Sequence, residues 1–129
     1  MTAKTNWFEN VVLEHFLRNN AQSAVQPYMA LFIDGSGPGE AGGGTEVSGA
    51  GYARKLITFG AASGGIVTNS AAITFPTATG SWGTIGHYAI MDALTVGNML
   101  YYGNLTAPKT IGLDDILEFP IGDLQVQEL

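Results

Sequence analysis

The sequence predicts a mainly β protein: an antiparallel β-sandwich of jelly-roll type with one N-terminal α-helix. Three observations lead there. Apolar residues at helical spacing are confined to the first twenty positions. From Pro27 onward, short runs rich in β-branched and aromatic residues alternate with glycine-containing turns. No helical segment interrupts that series. Closely spaced strands without crossover helices pair antiparallel. At 129 residues the chain is the size of one domain and can bury a core without staples. Residues 1–129 therefore read as a single domain, with a helix at 6–20, a sandwich at 28–127 and a glycine-rich loop at 34–44.

Taking the elements in order, Trp7, Phe8, Val11, Val12 and Phe16, with Leu13 and Leu17 beside them, form one broad helical face. Asn6 is the expected N-cap, with Glu9 reaching back to it, and Asn19-Asn20 is the stop. A helix of roughly fourteen residues is marginal alone in water, so it must dock. It docks either on its own domain or, through part of its wide apolar face, on a neighbouring subunit. Strands are expected at Tyr28–Ile33, Tyr52–Phe59, Gly65–Asn69, Ala71–Phe75, His87–Asp92, Met99–Leu105, Asp115–Phe119 and Leu124–Gln127. Ile85 and Tyr88 to Met91 show no clean alternation, which implies a strand covered on both faces by the helix or by another chain. Asp34 to Gly44 holds six glycines and no large side chain. It is either a mobile surface loop or an arm that becomes ordered against a neighbour.

Composition narrows the function. Five basic against eleven acidic residues give a net charge of −6, the wrong sign for a phosphate-backbone binder. The absence of cysteine removes disulfides, thiolate zinc sites and cysteine nucleophiles together. No apolar run reaches the ~18 residues of a membrane span. The amino terminus lacks the marks of a secretory signal, so the chain is expected to be used as made, starting in a cytoplasm.

Specific chemistry fares no better. Gly39 and Gly44 have the P-loop interval, but Thr45 stands where the lysine belongs. His15 and His87 have no partner at metal-ligand spacing, and Asp34 with Asp114-Asp115 lacks the alternating oxygen pattern of a calcium loop. No Gly-x-Ser-x-Gly elbow occurs, and His87 with Asp92 is too common a pair to mark a triad. Catalytic, metal-binding and cofactor-binding residues are all expected to be none.

What remains is an uncharged, glycine-laden surface. Only 12% of residues are charged and 18 are glycine, a balance that favours burial between subunits. The candidate interface residues are Trp7, Phe8, Gly37, Pro38, Gly39, Arg54, Lys55, Trp82, Tyr101 and Tyr102. Arg54 and Lys55 stand out among so few basic groups. They serve either as charge-assisted contacts to a partner carboxylate or as a local salt bridge and a solvated strand end.

Several ordered blocks carry a resemblance. Glu46 to Arg54 (EVSGAGYAR) precedes a strand ending at Phe59-Gly60. Ile73 to Thr79 (ITFPTAT), Trp82-Gly83-Thr84 with His87 to Ile90, and Gly97 to Leu105 (GNMLYYGNL) follow. In that order they resemble a family of small virion proteins from tailed bacteriophages, often labelled tail-fibre or minor structural proteins. The resemblance runs from the Trp7 helix to the closing strand and implies a structural protein without enzymatic activity. The chain has no repeat or heptad run to build a fibre shaft. The expectation is therefore a capsid decoration or cement protein, located on the virion and bound to the major capsid protein or other virion proteins. Such a protein stabilises the head because it binds the assembled lattice and not its free subunits. A tail or tail-fibre component is the alternative, and a carbohydrate-binding host-recognition module stands behind both. A homo-oligomer is expected, with neither nucleic acid nor membrane as direct partner.

Overall fold

The computed structural model describes residues 2–128. In chain order the elements are β1 (Thr2–Lys4), α1 (Asn6–Leu17), β2 (Tyr28–Ile33), β3 (Lys55–Leu56), β4 (Ile66–Thr68), β5 (Ile73–Thr74), β6 (Gly83–Met91), β7 (Met99–Ile111), β8 (Glu118–Phe119) and β9 (Gln125–Gln127). A five-stranded sheet has the order β1-β7-β6-β2-β3, and two-stranded ribbons form from β4 with β9 and β5 with β8. Every pairing is antiparallel. The fold is mainly β with one N-terminal helix, as the sequence predicts. The layer facing the large sheet is built from the two ribbons and their loops.

Alternation along β2 shows how the layers divide. Met29 and Leu31 point into the main core with Tyr88 and Ile90 of β6, where Ile73, Phe75, Phe119 and Val126 meet them from the ribbon layer. Ala30 and Phe32 point the other way and cluster with Ala89 and Met91. Both faces of β2 and β6 are thus covered, which is why neither strand alternates in sequence. The ribbons are tied together by Asn69, 1% exposed. Its amide donates to the carbonyls of Ala71 and Pro120, and its oxygen accepts from the Leu124 N–H. A buried side chain satisfied on both ends fixes the loops without a desolvation penalty.

Several boundaries differ from expectation, each for a tertiary reason. β1 was not expected: three residues are too few to show periodicity, and they are extended because Thr2, Ala3 and Lys4 pair with Gly103, Tyr102 and Tyr101 of β7. That pairing also moves the helix cap. Thr5 donates its N–H to the Leu100 carbonyl and its hydroxyl to the Met99 carbonyl, at 3.0 and 2.6 Å. Held there, its Oγ1 accepts from Phe8 N–H, so Thr5 and not Asn6 is the N-cap. The third helical position is Phe8, and the expected capping box with Glu9 does not form. The helix stops at Leu17, just before Asn19 with φ +57°.

The expected strand over Tyr52–Phe59 forms a named strand only at Lys55–Leu56, with a separate antiparallel bridge from Phe59 to Asn69, because Tyr52 turns inward instead. β6 and β7 are longer than expected. The four residues Leu105 to Pro108 bulge opposite Gly86, and the strands re-pair at Ile85 with Lys109. Among the described residues, no helix is long and apolar enough to cross a membrane.

Candidate partner-docking surface

α1 hangs on the edge of the sheet by few attachments. Thr5 ties its start to β7, and the Phe8 ring packs edge-on against Tyr101 at 5.3 Å. Tyr101 is itself anchored: its hydroxyl donates to Glu128, whose other carboxylate oxygen accepts from Lys4 at 2.7 Å. Burial raises the Glu128 carboxyl, but the hydrogen bonds from Lys4 and Tyr101 outweigh it and hold it below the usual carboxylate range. Desolvation and the same hydrogen bond push the Tyr101 hydroxyl upward, so it stays a neutral donor.

The helix pays for this thin attachment in exposed surface. No residue of α1 is buried. Trp7, Leu13, Phe16 and Leu17 are exposed, the last two by 75% and 77%. Phe8, Val11, Val12 and His15 form the half-buried inner stripe, at the i, i+3, i+4, i+7 spacing of a docked helical face. The outer residues fall on other faces, and the one aromatic contact given to them is that of the Phe16 ring with its neighbour His15, edge-on at 4.6 Å. That exposed apolar surface makes α1 the candidate docking element.

Beside the helix lies a groove of about 480 Å³. Asn6 and Trp7 form one wall, Glu40 to Gly43 of the glycine arm the other, with Met91 and Met99 between them. The arm is ordered by its own chain, which corrects the expectation of an arm settled only against a neighbour. Thr45 N–H donates to the Ser36 carbonyl, Gly39 and Gly42 bond reciprocally at 2.9 Å, and Asn6 N–H donates to the Glu40 carbonyl at 2.8 Å. Gly37 sits so close to the His87 ring that a Cβ there would lie 2.4 Å from Cγ. The arm thus lies against the second face of the sheet, and its glycines are what allow the approach.

A third feature was not expected as a unit. Arg54 and Glu46 pair beneath the loop that joins β6 to β7, and Arg54 Nη1 also donates to the carbonyls of Ala93 and Val96. Leu94 and Val96 are presented outward from that loop, both exposed. Burial raises the Glu46 carboxyl, yet hydrogen bonds from Arg54 and Tyr52 and the Arg54 charge leave it below its ordinary value of 4.5. The Glu46 partner in turn raises Arg54. The eight-residue interval between Glu46 and Arg54 carries no signal by itself, so sequence alone did not join them.

The predicted interface residues therefore separate. Trp7 is exposed and Phe8 half-buried on α1, while Gly37, Pro38 and Gly39 are half-buried in the folded arm. Lys55 is exposed on β3. Trp82, 3% exposed, is a core residue whose indole donates to the Ala50 carbonyl and whose ring meets Tyr52 edge-on. It offers no surface to a partner, because the turn in which it sits folds back over the core. Arg54 is engaged within its own chain, by Glu46 and the Ala93 and Val96 carbonyls. Tyr101 is engaged by Phe8 and Glu128; Tyr102, half-buried, stands opposite Ala89. The sequence named Leu13, Phe16 and Leu17 only as helix-face residues, yet all three are exposed, Phe16 and Leu17 strongly so.

No pair resembling hydrolytic machinery assembles from the residues considered for it. His87 Nδ1 bonds to Asn104 Oδ1 at 2.7 Å, and Asp92 binds Asn98 through both its backbone N–H and its side-chain amide.

No curated protein matches the chain. A family model described as Podophage GP4 fiber I protein gp80 matches residues 3–127, nearly the whole chain, including α1, the arm and the closing strand. Because that match spans nearly the entire sequence, the chain belongs to the Podophage GP4 fiber I protein gp80 family, a family of phage virion structural proteins.

Proposed function

We propose that this chain is a non-catalytic component of a phage tail fibre, held in the virion by packing the outer face of α1 against other virion proteins. The observation that carries the reading is α1 itself: a twelve-residue helix with no buried residue, marginal unless its apolar surface is covered. The fibre label of the matching family favours the tail over the capsid-decoration reading, which rested on the missing shaft and the small size of the domain. Further copies of the same chain are the first partners to expect. A second apolar set, Leu113, Ile116 and Ile121, is exposed on the connections around β8, so one chain offers more than one sticky surface.

The test is to locate the protein in the particle. Gold-labelled antibody or a tagged copy should mark the tail. Label spread over the head lattice would move the assignment to capsid decoration, and a particle without the protein would end both readings.

A further inference from the structure

The groove beside α1 and the free end of the same helix are complementary in shape. The groove opens onto the small apolar cluster on the second face of the sheet, where Met99 packs against Ala30, Phe32, Ala89 and Met91. Met91 and Met99 line it between Trp7 and the arm. Thioether side chains adapt to whatever is laid on them, so an apolar group placed there would extend that cluster. At about 480 Å³ the space exceeds a phenylalanine and a leucine side chain together. Phe16 and Leu17, at the other end of α1, are a strongly exposed protrusion of that composition.

One chain cannot bring the two together. Phe16 lies nine positions beyond Trp7, about 14 Å along the axis of a helix whose start is fixed by Thr5. The charges at the two places are also opposite. Glu40 in the arm wall and Glu9 in the first turn are acidic, and neither enters an ion pair among the described residues. Arg18 follows Leu17 directly. Its ion pair with Glu14 lies at the surface, with the Arg18 side chain 74% exposed, and such a pair is easily exchanged for another. The exposed set Leu113, Ile116 and Ile121 stands among Asp114, Asp115 and Glu118 instead, and would set acid against acid in the groove.

We propose that Phe16 and Leu17 of one copy seat in the groove between Trp7 and the glycine arm of a second copy, with Arg18 drawn to Glu40. The inference rests on the reading of α1 as the docking element and names its partner as this same chain. Each copy carries both a tip and a groove, so the contact repeats from copy to copy until the set closes on itself.

The absence of cysteine makes the geometry directly testable. Under mild oxidation, a mixture of the single variants Leu17→Cys and Ala41→Cys should yield a disulfide-linked pair, and Leu17→Cys alone far less. Equally ready crosslinking by Leu17→Cys alone would put tip on tip, and no crosslink in the mixture would leave the groove unused; either overturns the proposal. Glu40→Lys and Arg18→Glu, both at exposed positions, should each weaken self-association in sedimentation about threefold, and the double variant should regain it. A parent chain still monomeric at about 1 mM, or a double variant no tighter than the single ones, overturns it as well. If Phe16→Ser with Leu17→Ser loses association while Leu17 and Ala41 never crosslink, α1 remains the docking element and the groove is discarded. Particle labelling reads the tail assignment separately from all of these.

Discussion

Arg54 and Glu46 meet through two parallel contacts, Nε to Oε2 at 2.9 Å and Nη2 to Oε1 at 2.8 Å, while the remaining Arg54 nitrogen holds two carbonyls of the β6–β7 loop. The same carboxylate accepts from the Tyr52 hydroxyl, which itself accepts the Leu31 N–H. One guanidinium therefore connects β2, the segment before β3 and the loop bearing Leu94 and Val96. Arg54→Ala leaves a half-buried carboxylate with the Tyr52 hydroxyl as its remaining donor and removes the Arg54 donor from two carbonyls, and should cost about 2–4 kcal/mol. Arg54→Lys should recover only a part, since an ammonium lacks the planar fork. Chemical denaturation of the three proteins measures both effects.

The same pair sets an acid limb. The folded Glu46 lies below the ordinary 4.5, so its ion pair contributes stability above that value and loses it as pH falls through the depressed one. Glu128, lowered by Lys4 and Tyr101, acts in the same window and sign. Glu46→Gln should melt below the parent protein at pH 7, with the gap closing as the buffer is taken under pH 4.5. Melting curves across that range decide it: a gap that stays constant would contradict the linkage.

Glycines in the arm are not equivalent. A Cβ on Gly44, whose φ is +81°, would stand 2.8 Å from the backbone of Gly37 and Pro38; Gly39 has open space on that side and no positive φ. Gly44→Ala should destabilise by about 1–3 kcal/mol, combining left-handed strain with the clash, whereas Gly39→Ala should change little. Limited proteolysis between residues 36 and 45 should accelerate in the first variant only.

Phe16→Ser with Leu17→Ser should leave the melting temperature within a degree or two, because neither side chain is buried. Self-association in sedimentation and incorporation into particles should both fall. Unchanged incorporation would remove α1 from the assembly.

Much of the fold was readable because residues in the middle of the sheet have no local alternative. β2 is bounded as expected because its apolar run is buried on both faces and flanked by breakers. β6 was read four residues short, since Gly83 and Gly86 look like turn residues; Gly86 is in fact tucked against Asp34, where a Cβ would be 2.2 Å from Oδ1. β7 is expected to end at Leu105, and it continues past the bulge only through re-pairing with β6, a tertiary contact that the local sequence does not show. The surface was harder. Trp7 and Trp82 are the same residue type next to polar neighbours, and nothing local says that one stays in water while the other caps a core. Likewise, a cavity of about 430 Å³ beside the β7 bulge draws on residues from five separate stretches of chain, a convergence that no spacing rule detects.

A helix attached at little more than Thr5 and Phe8 has a consequence for measurement. Its amides open to solvent by local fraying, at a far smaller free energy than unfolding of the sheet, so in heavy water they label early while β2 and β6 label late. Whatever covers the helix adds its own binding free energy to that opening reaction. Slowed deuterium uptake over residues 6–17 thus becomes a built-in gauge of occupancy, readable on the native protein without tag or mutation.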